Sequence, residues 1–113
     1  MTHFVVTGSS GFIGTNLVKR LLELENNYVI GLDKKTAQIT HDNYNHIDID
    51  LGSIKVAHLL QEKLCLPEDY YLIHLAAQTS SQISMENPCQ DLNSNLISLK
   101  NILEFFENYK AAP

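Results

Sequence analysis

Three glycines, Gly8, Gly11 and Gly14, stand at G-x-x-G-x-x-G spacing between the apolar run Phe4-Val5-Val6 and a stretch with helical periodicity. In that position each does a separate job. The first permits a tight turn out of a strand, the second lets a phosphate approach bare backbone, and the third lets a helix pack closely on a sheet. The helix that follows aims unpaired N–H groups and the positive end of its dipole at the same point. The chemistry implied is the cradling of a diphosphate.

Three further places could complete a dinucleotide site. Asp33 ends an apolar run nineteen positions after Gly14, close to the roughly 20-residue spacing of an acid that hydrogen-bonds an adenosine ribose 2'-hydroxyl. A carboxylate there repels a 2'-phosphate and so favours NAD. Lys34 and Lys35, directly after it, are what NADP recognition would use and keep that alternative open. Asp50 and Leu51 close the next strand-like run, where Asp50 could accept from an adenine amino group and Leu51 cover the ring. A rival role for Asp50 is to cap the following helix, with Ser53 sharing the work. Finally, His74-Leu75-Ala76-Ala77-Gln78 puts small residues at a strand end, letting a ribose or nicotinamide lie against backbone. His74, beside a leucine in a strand, reads as a hydrogen-bonded core residue rather than a base.

The elements that must hold these residues can be read from hydrophobic period. His3 to Val6 predicts a first strand, and Ile13 to about Leu24 a helix with Ile13, Leu17, Leu21 and Leu24 on one face and Val18 and Leu22 widening it. Tyr28 to Leu32 predicts a strand buried on both faces. Lys34 to Asn45 has no clear period and reads as a loop. His46 to Leu51 alternates as a strand, and Ile54, Ala57, Leu60 and Leu64 mark the next helix. After a turn at Pro67-Glu68-Asp69, Tyr71 to Ala77 forms the fourth strand and Gln78 to Glu86 a polar loop. Asn87-Pro88 starts a last helix whose face is Leu92, Leu96, Leu99, Leu103 and Phe106, flanked by Ile102, Phe105 and Tyr109. Strands alternating with helices point to a parallel sheet with right-handed crossovers. The expected class is α/β, a Rossmann-type parallel sheet of strand order 3-2-1-4 ending after the fourth strand and its helix.

Composition bounds the partners. With 113 residues, 44% of them hydrophobic, the expected organisation is one small domain over residues 1–113. A formal net charge of -5 without a dense Lys/Arg run argues against nucleic-acid or anionic-membrane partners. There is no signal-peptide pattern at the start and no apolar run of about 18 residues, so a soluble, cytoplasmic protein is expected. Cys65 and Cys89 fit no metal spacing and read as reduced bystanders. The five histidines show no metal pairing either.

Taken together, these residues resemble the extended short-chain dehydrogenase/reductases, specifically the NAD-dependent epimerase/dehydratase family acting on nucleotide sugars. Thr7-Gly8-Ser9-Ser10-Gly11-Phe12-Ile13-Gly14 resembles the family's T-G-x-x-G-F-I-G signature, and His74 to Gln78 its H-L-A-A-Q segment. Ser84, Pro88 and Asn95 fall where the family has a serine, a proline and an asparagine. The resemblance implies that Phe12 and Ile13 give backbone N–H groups to the pyrophosphate and that Asp33 holds the adenosine ribose. It further implies that Asp50 and Leu51 frame the adenine, that Leu75, Ala76, Ala77, Gln78 and Thr79 line the nicotinamide half, and that Asn95 reaches the cofactor, NAD. The chain departs from the family at Ser98-Leu99, where Gly-Thr is frequent, and at Ser53, where Asp is frequent.

A larger departure concerns catalysis. Family enzymes use a Tyr-x-x-x-Lys pair, in which the lysine's positive charge favours ionisation of the tyrosine acid/base. Here Tyr28, Tyr44, Tyr70 and Tyr71 are followed four residues later by Leu32, Asp48, His74 and Leu75, and Tyr109 by Pro113. The expectation is therefore the cofactor-binding, amino-terminal part of a nucleotide-sugar epimerase or dehydratase, inactive alone and with no catalytic residue of its own. In the intact enzyme the resemblance implies transient oxidation of a sugar carbon, then re-reduction or elimination. The alternative is a stand-alone, non-catalytic NAD-binding or interaction module. Strand four should be left as an unpaired edge and the last helix with apolar surface exposed. Self-association is expected, with a homodimer through that helix the arrangement the resemblance implies.

Overall fold

The computed structural model describes residues 1–76 and 88–109, with backbone only for 88–94. Four strands, β1 (Thr2–Thr7), β2 (Asn27–Asp33), β3 (Tyr44–Asp48) and β4 (Tyr71–His74), form one sheet in the order β3-β2-β1-β4. Every pairing is parallel. Among the described residues three helices accompany it: α1 (Phe12–Glu23), α2 (Val56–Lys63) and α3 (Pro88–Asn108). The doubly wound order follows from short parallel connections that must cross over right-handed. It gathers the ends of β1, β2 and β4 along one edge.

Side chains alternate between the two faces of the sheet. On one face Val5, Ile30, Leu32 and Ile47 pack with Val56, Leu60 and Leu64 of α2 and with Ile102 and Phe105 of α3. On the other, Val6 and Val29 meet Val18 of α1, with Leu17, Leu21, Leu22 and Ile39 around them. Ile39 belongs to the 34–43 loop, which covers this face without forming a helix. Both faces of β1 and β2 are thus dry. That accounts for their near-continuous apolar sequences.

Several boundaries and faces differ from expectation. Strand β3 begins two residues early, at Tyr44, and ends at Asp48. The Ile49 N–H still reaches Asp33 O at 3.1 Å, after which Asp50 and Leu51 turn away from the sheet. Helix α2 begins at Val56, so its buried stripe is Val56, Leu60 and Leu64, while Ile54 is 99% exposed and Ala57 also faces out. In α1 the buried line runs through Gly14 and Val18, leaving Ile13 and Leu24 exposed. The stripe turns because Gly14, having no side chain, is drawn against the loop. In α3 the buried residues are Ile102 and Phe105, whereas Leu96, Leu99 and Leu103 are exposed. Regular β4 ends at His74, before the expected Ala77, and the 78–86 loop, Ser84 and Asn87 lie outside the described residues.

Distant polar bonds fix α3 and α2. Asn101 Nδ2 donates to Leu51 O at 2.7 Å and to Ser53 O at 3.2 Å. The Leu66 N–H donates to Tyr109 Oη at 2.8 Å. The bonds to Leu51 O and from Leu66 N–H occupy backbone groups in the α2 connections, while Ser53 O also accepts from Val56 N–H at 3.4 Å.

Candidate dinucleotide site

In the glycine loop backbone packs closely on backbone. Gly8 has φ +71°, a left-handed conformation that disfavours a side chain, and a Cβ there would stand 2.8 Å from Ala76 N. A Cβ on Gly14 would overlap Gly8 O outright. Gly11 differs from both. A Cβ there would make only an ordinary 3.4 Å contact with Gly8 O, so the space beside it is open. The first and third glycines are thus required by packing, and the second keeps an approach clear.

Helix α1 starts at the open side. Gly11 is its N-cap, extended at φ -76° and ψ 178°, and no side chain caps the helix. The first turn carries no acidic residue. Helix geometry leaves the amides of this turn without intrahelical partners, and with the dipole they favour an anion. Phe12 and Ile13 are 86% and 67% exposed, so no core packing draws their side chains over the turn.

Asp33 is held in place from the loop. Its Oδ2 accepts from Ser10 N–H and its Oδ1 from Lys35 N–H, both at 2.9 Å, while Ser10 Oγ donates to Thr36 O at 2.8 Å. Each carboxylate oxygen uses one acceptor position and keeps another. Tyr44, near this carboxylate, has its hydroxyl pKa pushed up by burial and further by the negative charge of Asp33. Gly31 makes room for the Tyr44 hydroxyl and Ser9 on this face, since a Cβ there would strike both.

The end of β4 is fastened by a residue that sequence reasoning had assigned no separate role. Thr7, fully buried, accepts at Oγ1 from Leu75 N–H at 2.9 Å and Ala76 N–H at 3.1 Å, and pairs with His74 Nδ1 at 2.7 Å. Leu75 N–H also reaches Thr7 O at 3.1 Å. Burial holds the His74 pKa below its ordinary value of 6.5. The one hint in the sequence was a hydroxyl residue ending an otherwise apolar strand.

The remaining candidates fall in two groups. Asp50 accepts from Gly52 N–H at Oδ1, 3.0 Å, while Ser53 Oγ takes Lys55 N–H at 3.1 Å. The N-cap of α2 is Lys55, so Asp50 closes a turn ahead of the helix instead of capping it. Leu51 is buried and packs in the core, while Asp50 is exposed beside it. Asn95 lies half-buried on α3. Ala77, Gln78 and Thr79 lie outside the described residues. Thus the fold brings Gly8, Gly11, Phe12, Ile13, Gly14 and Asp33 together with Leu75 and Ala76, because β1, β2 and β4 are adjacent and end at one edge. Among the described residues no group of three His, Cys, Asp or Glu side chains could hold a metal. No described helix is long and apolar enough to cross a membrane.

Comparison with known proteins agrees with this fold. The chain is 31% identical over 118 residues to UDP-glucuronate 4-epimerase 4 of Arabidopsis thaliana, covering 96% of this chain and 27% of that protein. The Thermotoga maritima UDP-glucose 4-epimerase, solved with UDP-glucose, superposes with a TM-score of 0.75 at 28% identity, over 97% of this chain and 35% of that one. The Bordetella bronchiseptica enzyme WbmF, solved with NAD+ and UDP, gives a TM-score of 0.77 at 29% identity, over 96% and 32%. The chain spans about a third of the length of the curated relatives it matches. A sequence model of the NAD dependent epimerase/dehydratase family matches residues 4–112. With the match running the length of the sheet and its helices, this chain belongs to the NAD-dependent epimerase/dehydratase family.

Proposed function

We propose that this chain is the NAD-binding portion of a nucleotide-sugar epimerase or dehydratase. The observation that carries this reading is the uncapped start of α1 at Gly11, open to solvent and flanked by the oriented Asp33 carboxylate. Phe12 and Ile13 would offer amides to the pyrophosphate, and Asp33 its two remaining acceptor positions to the adenosine ribose hydroxyls. Asp50 and Leu51 would frame the adenine, with Leu75, Ala76, Ala77, Gln78, Thr79 and Asn95 toward the nicotinamide. Bound NAD would supply a hydride acceptor for a sugar carbon and would give the hydride back, directly in an epimerase or after elimination in a dehydratase. A Tyr-x-x-x-Lys pair is absent from these 113 residues, so the acid/base work of that reaction belongs to residues other than these. The substrate, a nucleotide sugar, would lie beyond the nicotinamide. The exposed Leu96, Leu99 and Leu103 stripe of α3 supports self-association through that helix.

Calorimetric titration tests the cofactor assignment. NAD should bind more tightly than NADP, because the Asp33 carboxylate repels a 2'-phosphate. Replacing Asp33→Ala should weaken NAD about tenfold to a hundredfold, since hydrogen bonds to a charged group contribute about 1.5–3 kcal/mol. A folded sample that takes up neither dinucleotide would refute the assignment.

A further inference from the structure

Proton accounting at Thr7 leads past simple cofactor binding. A threonine hydroxyl has one proton to give and two lone pairs to receive. Two N–H groups, from Leu75 and Ala76, already donate to Oγ1. Among the described residues, the group placed to pair with the hydroxyl's own proton is His74 Nδ1, 2.7 Å away. Nδ1 must therefore be the bare nitrogen of a neutral ring protonated at Nε2.

We propose that His74 is a positioning residue: its unprotonated Nδ1 takes the Thr7 proton, so that Oγ1 can clamp both amides at the end of β4. The inference rests on the dinucleotide reading above, since the clamped residues, Leu75 and Ala76, are those that would lie along the nicotinamide half. Protonating His74 turns its ring into a donor at both nitrogens. Oγ1 would then face three N–H donors with two lone pairs, so its hold on the amides loosens, with Leu75 N–H able to fall back on Thr7 O at 3.1 Å. Ala76 N, one of the two clamped amides, sits 2.8 Å from where a Gly8 side chain would begin, so slackening of the β4 end reaches the glycine loop directly.

The surroundings favour the neutral ring. His74 is partly buried and desolvation lowers its pKa, with no carboxylate or ammonium contributing. Among the described residues the neighbouring strand meets it with Thr7, which does not ionise. Acid is needed to break the clamp.

Nitrogen-15 NMR of the folded chain reads the proposal without any ligand. At pH 7.5 the His74 ring should show a bare Nδ1 and a protonated Nε2. On acidification its midpoint should fall below the ordinary value of 6.5, and the Leu75 and Ala76 amide signals should move with the His74 midpoint. NAD affinity should drop about tenfold or more through the same pH range. His74→Asn, whose side-chain oxygen can still accept from Thr7, should keep near-neutral affinity within a few-fold and lose the acid-dependent drop. A ring protonated at Nδ1 at pH 7.5 would overturn the proposal, as would Leu75 and Ala76 amides indifferent to His74 titration. If NAD failed to bind at any pH while the ring and amide signals behaved as stated, the cofactor reading would fall and the clamp would stand.

Discussion

The β1–α1–β2 side of the molecule and the β4–α3 side are built on different principles. Strands β1 and β2 pair over six residues, with both faces covered, and the loop between β1 and α1 is shaped by its own glycines. Strand β4 pairs with β1 over four residues and has no other strand partner among the described residues. Its end is secured by one buried hydroxyl sixty-seven residues away in sequence. An anion cradle can therefore be made from local backbone alone. The β4 end depends instead on long-range bonds.

Substitutions can break this contrast, and the largest effect is expected inside the loop. Gly14→Val would drive a side chain into Gly8 O; overpacking of this kind typically costs about 1–3 kcal/mol, and direct overlap with backbone should exceed that range. Gly11→Ala meets open space and should leave urea stability within about 1 kcal/mol of the parent, yet weaken dinucleotide binding by placing a methyl where a phosphate approaches. Equal stability losses at the two glycines would contradict the division of labour between them.

Thr7→Val should come next. It keeps the shape but takes the acceptor from Ala76 N–H and one of two from Leu75 N–H, which keeps Thr7 O, at about 1–3 kcal/mol for a group left unsatisfied. Chemical denaturation measures the loss, and hydrogen exchange should accelerate at Leu75 and Ala76 while β2 stays protected. Uniform acceleration across the sheet would mean the β4 end is not separately fastened. Stability should also decline in acid. Folding lowers the His74 pKa, so the unfolded chain binds more protons in that window; this contribution is whole above about pH 6.5 and is lost as pH falls toward the folded value.

The smallest effect on stability is expected on the outer face of α3. Leu103→Glu changes an exposed residue and should alter monomer stability by no more than about 0.5 kcal/mol. Sedimentation should nevertheless show less self-association. An unchanged sedimentation profile would remove this stripe as a contact surface.

How much of this was legible in the sequence follows from the range of the interactions. The glycine loop, Asp33 and the strand order rest on local spacing and apolar runs, which a linear reading can see. Helix phase was less accessible. In α3 both the leucine stripe and the Ile102–Phe105 line have helical period, and the bonds from Asn101 to Leu51 O and Ser53 O help fix the orientation. In α1 the backbone contact at Gly14, rather than any apolar residue, sets the buried line. The Thr7–His74 clamp was hidden for the same reason: each residue has an ordinary local role, and their pairing exists only once β1 and β4 are adjacent.

The central claim is that the start of α1 and the Asp33 carboxylate together form a dinucleotide cradle. Mapping backbone amide shifts by NMR while NAD is added to the folded chain tests it most directly. The account predicts the largest changes at Ser10 to Gly14 and at Asp33 to Lys35. A folded spectrum in which those amides stay fixed, or in which the changes centre on the groove between α2 and α3, would contradict it.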